Sequence, residues 1–188
     1  LERVASLNRQ REQTAKAGAT QFLPIQIGVG INTGTCVVGN MGSDLRFDYS
    51  VLGDSVNLAS RLEGQCKSYG LPIIIGSKTA LAAKNNLAIL ELDFIAVKGK
   101  KEPEVVYAIV GREDMANSEN FQRWRELNMK MLSRYRSRDW TAALAAIEQG
   151  RAADKESRFQ TLYKIYAERI RSFQVSPPSD DWDGAYAL

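Results

Sequence analysis

Arg46-Phe47-Asp48-Tyr49-Ser50-Val51-Leu52-Gly53-Asp54-Ser55-Val56-Asn57-Leu58-Ala59-Ser60-Arg61-Leu62-Glu63 is the stretch on which the reading of this chain turns. The short run Tyr49–Leu52 ends at Gly53, and Asp54 or Ser55 is expected to cap a helix that continues through Leu62. Asn57 and Arg61 stand four apart on that helix and share one face. Val56, Ala59 and Leu62 are expected to pack inward, which leaves the Asn/Arg pair on a separate polar stripe. An amide and a guanidinium on one rigid surface can hold a sugar oxygen and a phosphoryl group together. The forked donors of arginine suit phosphoryl oxygens whose charge grows in a transition state. Without further context, the same pair also reads as an ordinary solvated helix face.

Outward from this stretch the chain changes period several times. Leu1, Val4 and Leu7 fall at helical spacing, and polar residues follow to Gly18. Ile25, Ile27, Val29 and Ile31 then alternate with Gln26, Gly28 and Gly30, predicting a strand whose glycines admit a close backbone or ligand. Asn32-Thr33-Gly34-Thr35 reads as a turn into Cys36-Val37-Val38, so a hairpin is expected, followed by a looser stretch over 39–48. Beyond the helix, Pro72–Ile75 predicts a short buried strand, and Ser77 is expected to cap a brief helix ending near Asn85-Asn86. Leu90, Leu92, Phe94 and Ala96 alternate along a further strand, residues 98–103 turn, and Val105–Val110 returns. This mixture predicts an α+β fold with helices over one sheet. Past Gly111 three amphipathic helices are expected, marked by Phe121 to Tyr135, Trp140 to Ile147 and Phe159 to Phe173. A break is expected at Gly150, and an extended tail after Pro177-Pro178. The two modules are expected to span 1–111 and 112–188, with the boundary near 112–117.

The 188 residues contain no histidine, which removes Ser-His-Asp hydrolysis, Cys-His proteolysis and His-ligated metal chemistry. The formal net charge of +3 comes from interspersed charges and gives no case for nucleic acid. No apolar run is long enough to span a bilayer, and no membrane contact is expected from this chain. Cys36 and Cys66 are expected to be buried thiols in a reducing compartment, not a disulfide. Two phosphate-loop patterns fail on the residues that bind. Gly28-Val29-Gly30 is followed by Thr33 where a third glycine belongs, and Gly34 and Gly39 precede Asn40-Met41 where Lys-Ser/Thr belongs.

Residues 48–62 resemble the substrate-binding region of the class III nucleotidyl cyclases, especially the bacterial wording Asp-Tyr-Thr-Val-x-Gly-Asp-x-Val-Asn-x-Ala-x-Arg-Leu. Ile27–Gly34 resembles that family's hairpin and Val97-Lys98-Gly99-Lys100 its late phosphate-binding strand. The likeness covers about residues 1–111. It implies a ferredoxin-like nucleotidyl cyclase fold, incomplete at its N-terminus, and a cytoplasmic adenylate cyclase converting ATP to cyclic AMP and pyrophosphate. Any membrane tether would lie in upstream segments. Under the resemblance Asn57 orients the ribose, Arg61 stabilises the pentavalent α-phosphate, Lys98 holds the β- and γ-phosphates and Ser50 reads the purine. Serine there departs from the commoner Asp or Thr; its hydroxyl can accept from the adenine amino group, which favours ATP over GTP. Arg46 and Asp48 match the wording without an assigned role, and Asp54 is expected to cap rather than bind.

The family uses two Mg²⁺ or Mn²⁺ ions held by two aspartates in an N-terminal half whose segments are not found in this sequence. Leu1 reads as lying inside a helix of a longer polypeptide. The resemblance therefore implies a site shared across a homodimer or completed by the missing N-terminal part. This chain would carry the Asn/Arg half and, alone, would be inactive. Arg138-Asp139-Trp140-Thr141-Ala142-Ala143 resembles a tetratricopeptide-type turn, and residues 177–184 resemble the ending of many bacterial cyclases. One helical hairpin is too little for a peptide-binding solenoid, so packing against the cyclase part or its partner is expected. The alternative function is a non-catalytic dimerisation or regulatory module with a degenerate cyclase fold.

Overall fold

The structure, a computed structural model, describes residues 1–43, 46–96 and 102–187. Helix α1 (Glu2–Ala17) leads through a loop to β1 (Val29–Ile31), and β2 (Val37–Ser43) and β3 (Arg46–Leu52) precede α2 (Asp54–Tyr69). Then come β4 (Ile73–Gly76), α3 (Ser77–Ala83), β5 (Leu87–Ala96) and β6 (Glu104–Arg112). A short α4 (Glu113–Ala116), the three longer helices α5 (Glu119–Arg136), α6 (Trp140–Ala153) and α7 (Gln160–Val175), and β7 (Tyr186–Ala187) complete the chain. The α+β class expected from the sequence is the class observed.

The main sheet has the order β1-β4-β6-β5-β7, and β2 and β3 pair separately as a two-stranded sheet. This corrects the expected hairpin. Val29–Ile31 pairs in parallel with Ile73–Ile75, whereas Val37 pairs antiparallel with Leu52. From the stretch expected to be loose, residues 39–43 and 46–48 take part in that pairing. The strand expected from Ile25 begins only at Val29, because the backbone N–H and C=O of Ile25 are taken by the Asn8 side-chain amide, both at 2.8 Å.

Other details also move. The α2 helix starts after Gly53 with no side-chain cap, so neither Asp54 nor Ser55 caps it. The Ser77 hydroxyl likewise does not cap α3 and instead lies 2.6 Å from Glu104 Oε1. On β5 the expected alternation shifts phase at a bulge between Glu91 and Asp93, which buries Leu92 and Asp93 consecutively and then Ile95. Gly150 is no break. It lies within α6, where a Cβ would sit 2.6 Å from the Tyr163 ring, so the glycine lets α7 approach. The C-terminal tail packs back onto the helices and the sheet. Trp182 meets Tyr135 and Phe173 with ring centroids 5.4 and 5.3 Å away, and β7 adds in parallel to β5. Cys36 is exposed, against expectation, while Cys66 is buried; both are free thiols.

Among the described residues one apolar core runs from Leu58, Leu62, Ile74 and Leu92 through Met131, Tyr135, Ile147 and Ile170. At its centre is a buried carboxylate. Asp93 accepts from Arg169 Nη1 and the Tyr69 hydroxyl at 2.6 Å each, and from the Phe94 N–H at 2.8 Å. The Tyr166 hydroxyl lies 2.8 Å from the second carboxylate oxygen. These partners come from α2, α7 and β5 itself, and Tyr186 of β7 covers Arg169 with its ring centroid 3.5 Å from the guanidinium carbon. Asp93 and Arg169 side chains are 1 and 7% exposed, so each charge depends on the other for compensation.

Asp93→Ala is expected to cost about 3–5 kcal/mol, the loss for stranding one member of a buried pair, measurable by denaturant unfolding. Alkali should act on the same cluster. Burial first, and the Asp93 charge second, raise the Tyr69 and Tyr166 hydroxyls far above the ordinary phenol value of 10.0, and burial with Asp154 pushes Tyr163 up to about 12. The folded chain therefore keeps protons that the unfolded chain releases. Stability is full below about pH 10 and falls as pH rises beyond it, which urea midpoints across that range would record.

Candidate functional site

The site is built on α2, and two glycines decide where that helix lies. A Cβ on Gly30 would sit 2.0 Å from the Ala59 carbonyl oxygen and 2.4 Å from the Glu63 nitrogen. One on Gly28 would meet the Glu63 side chain at 2.9 Å. The glycine face of β1 thus receives the helix backbone rather than a ligand. The inward stripe of α2 is Leu58, Leu62, Cys66 and Tyr69, while Val56 and Ala59 are half-buried; this corrects the expected Val56-Ala59-Leu62 stripe. The physical reason is the close backbone approach of Ala59 and Glu63 to β1, which turns the helix on its axis. Asn57 and Arg61 each precede a buried leucine by one residue, which places them about 100° round the helix, on an exposed face.

The first turn of α2 is held from three sides. Gly53, at φ 149°, precedes the helix, and its carbonyl accepts from the Val56 and Asn57 N–H groups at 3.0 Å each. A Cβ on Gly53 would meet the Thr35 carbonyl at 3.1 Å, and one on Gly34 would collide with the Ser55 hydroxyl at 1.8 Å. From the end of β1, Asn32 donates its side-chain amide to the Ser55 carbonyl at 3.0 Å. Asn32 itself fits because residue 76 is glycine, where a Cβ would stand 2.3 Å from Asn32 Oδ1. The next residue, Thr33, shares a 2.8 Å hydroxyl contact with Thr79 of α3.

Ser50 lies on β3, opposite Gly39 in register, and is exposed. Asn57 and Arg61 are therefore brought together on one helix face, whereas Ser50 stands on the separate two-stranded sheet. Lys98 lies outside the described residues. Clefts of about 800 and 830 Å³ flank β4 and the start of α1, and neither is lined by Ser50, Asn57 or Arg61. Among the described residues, no group of three or more His, Cys, Asp or Glu is placed to hold a metal ion. No helix among them is long and apolar enough to cross a membrane. In the sequence Asn32 stands in Asn-Thr-Gly-Thr, which reads as a turn and carries no signal of its bond to Ser55.

The family model for the adenylate and guanylate cyclase catalytic domain matches residues 4–111, and the chain belongs to that family. Among relatives, it is 37% identical over 122 residues to the terminal-differentiation specific adenylate cyclase of Dictyostelium discoideum, covering 62% of this chain and 5% of that protein. It is 37% identical over 101 residues to an adenylate cyclase of Anabaena cylindrica, covering 52% of this chain and 20% of that one. The crystal structure of the adenylyl cyclase CyaB from P. aeruginosa is similar over 57% of this chain and 53% of that one, with 37% identity and a TM-score of 0.46. The chain thus spans one fifth or less of the length of these two curated relatives.

The Gly30 contact generates a direct expectation. Gly30→Ala should destabilise the fold by about 1–3 kcal/mol through overpacking against α2. Because the obstacle is helix backbone, amide exchange within residues 57–63 should rise in the same variant.

Proposed function

We propose that this chain forms part of an adenylate cyclase that converts ATP to 3′,5′-cyclic AMP and pyrophosphate. The observation that carries the proposal is the Asn57/Arg61 pair, exposed on a helix whose backbone is locked onto Gly30. Family membership over residues 4–111 supports the reading, and relatives named adenylate cyclase favour ATP as the substrate. The division into a cyclase part over 1–111 and a helical extension over 112–188 is proposed with it.

In the reaction the ribose 3′-hydroxyl oxygen bonds to the α-phosphorus, and the bond from that phosphorus to the oxygen bridging the β-phosphate breaks. Pyrophosphate leaves with the electron pair, and the hydroxyl proton passes to solvent. The Asn57 amide holds the ribose so that its hydroxyl faces the phosphorus. Arg61 donates to the non-bridging oxygens of the α-phosphate, whose negative charge grows at the pentavalent stage, so its contribution is greatest in the transition state. Ser50 accepts from the adenine amino group, and Lys98 neutralises the departing phosphates. The remaining groups come from a partner surface, either a second copy of the full-length protein or another part of the same polypeptide.

The reading is tested by assaying cyclic AMP formation in the full-length protein with and without Arg61→Ala. The variant should lose roughly 100-fold or more in kcat, with ATP affinity changed far less. Unaltered turnover in the variant would refute the assignment of Arg61. A full-length protein that binds ATP but makes no cyclic AMP under any divalent cation would instead support a non-catalytic module.

A further inference from the structure

We propose that Asn32 is a positioning residue, fixing the first turn of α2, and with it Asn57, against the end of β1. This inference rests on the reading of Asn57 and Arg61 as transition-state groups. Three observations converge on it. The Asn32 amide bridges two elements that are far apart in sequence, donating to the Ser55 carbonyl at 3.0 Å, two residues before Asn57. It is half-buried, and its other terminal atom fills the space that Gly76 leaves open. The strand that carries it is fixed on its far side, since Ile31 pairs with Ile75 immediately before Asn32 and Gly76.

Asn32 therefore transmits the position of the sheet to the helix start through a directed hydrogen bond, which apolar packing cannot do. The Ser55 carbonyl already serves the helix, so the external donor adds orientation without creating an unpaired group. Gly34 and Gly53 keep the surrounding loop close enough that the first turn has little room to swing. A displacement of about 1 Å in a group that must meet a reacting phosphoryl is enough to cost large factors in rate.

Asn32→Asp separates positioning from packing, because the shape is kept while the ionised carboxylate presents an acceptor to the Ser55 carbonyl. In the full-length protein it is expected to lower kcat about tenfold or more at neutral pH, with KM for ATP little changed. Expressed relative to wild type at each pH, the rate should recover as the medium is made acidic, because a protonated carboxyl can again donate. Amide exchange at Val56 and Asn57 should be faster in the variant at neutral pH. Gly76→Ala, which drives a methyl into the Asn32 amide, should lower kcat in the same way without altering Asn32. A wild-type kcat in Asn32→Asp, or a loss that is equal at every pH with unchanged exchange at Val56 and Asn57, overturns the proposal. The Arg61→Ala variant is assayed alongside. If it keeps full turnover, the cyclase reading of the site fails and this inference with it; if it loses turnover while Asn32→Asp does not, the positioning role alone fails.

Discussion

The carboxylate of Asp93 is the point at which the sheet, α2, α7 and the C-terminal strand meet. A buried aspartate is tolerable only when its charge is matched and its oxygens are filled, and here Arg169, Tyr69, Tyr166 and the Phe94 N–H do both. The consequence is that β5, α2, α7 and β7 are tied to one point. Helix α7 cannot leave the sheet without stranding Asp93, and β7 cannot leave without uncovering Arg169. The buried pair need not add net stability over an apolar equivalent to have this effect. Its directionality is what makes one docking of α7 better than its neighbours.

The same network bears on the candidate site, because Tyr69 is the last residue of the helix that carries Asn57 and Arg61. The C-terminal end of α2 is tied to Asp93 through Tyr69, and its middle is pressed on Gly30. Its first turn is held by Gly53, the loop at Gly34 and the Asn32 amide. A helix constrained at both ends and along its inner face keeps its outer face in register. Under the proposed function, precision at Asn57 and Arg61 would thereby come from groups that touch no substrate.

Much of this arrangement was legible in the sequence. The α+β class, the existence of α2, the exposed Asn57/Arg61 stripe and the close approach at Gly28 and Gly30 all follow from local pattern. Local pattern could not tell which strand pairs with which. The apolar runs at Ile25–Ile31 and Cys36–Val38 have hairpin spacing, yet Val29–Ile31 finds a parallel partner in Ile73–Ile75, a choice made by packing far along the chain. Asp93 was invisible for a similar reason. It sits one residue past an alternating apolar position, and only a bulge, set by the pairing with β6, turns it inward. Asn32 reads as a turn residue, and its role depends on Ser55 and Gly76, which lie well beyond any local window.

The exposure of Asn57 and Arg61 has a physical consequence of its own. A guanidinium facing water stabilises growing phosphoryl charge weakly, since solvent screens the interaction and competes for its donors. The same group covered by a second surface acts in a lower dielectric and needs no reorganisation when charge develops. Under the proposed function, a rigid helix with its polar stripe outward would serve as one wall of a site closed by a second surface. The exposed apolar residues on the neighbouring two-stranded sheet, Val37, Val38, Tyr49 and Leu52, are the kind of rim such a closure would bury. Closure of this kind would remove water from Arg61 and from the apolar rim together, so that the assembly step and the electrostatic step draw on one burial event.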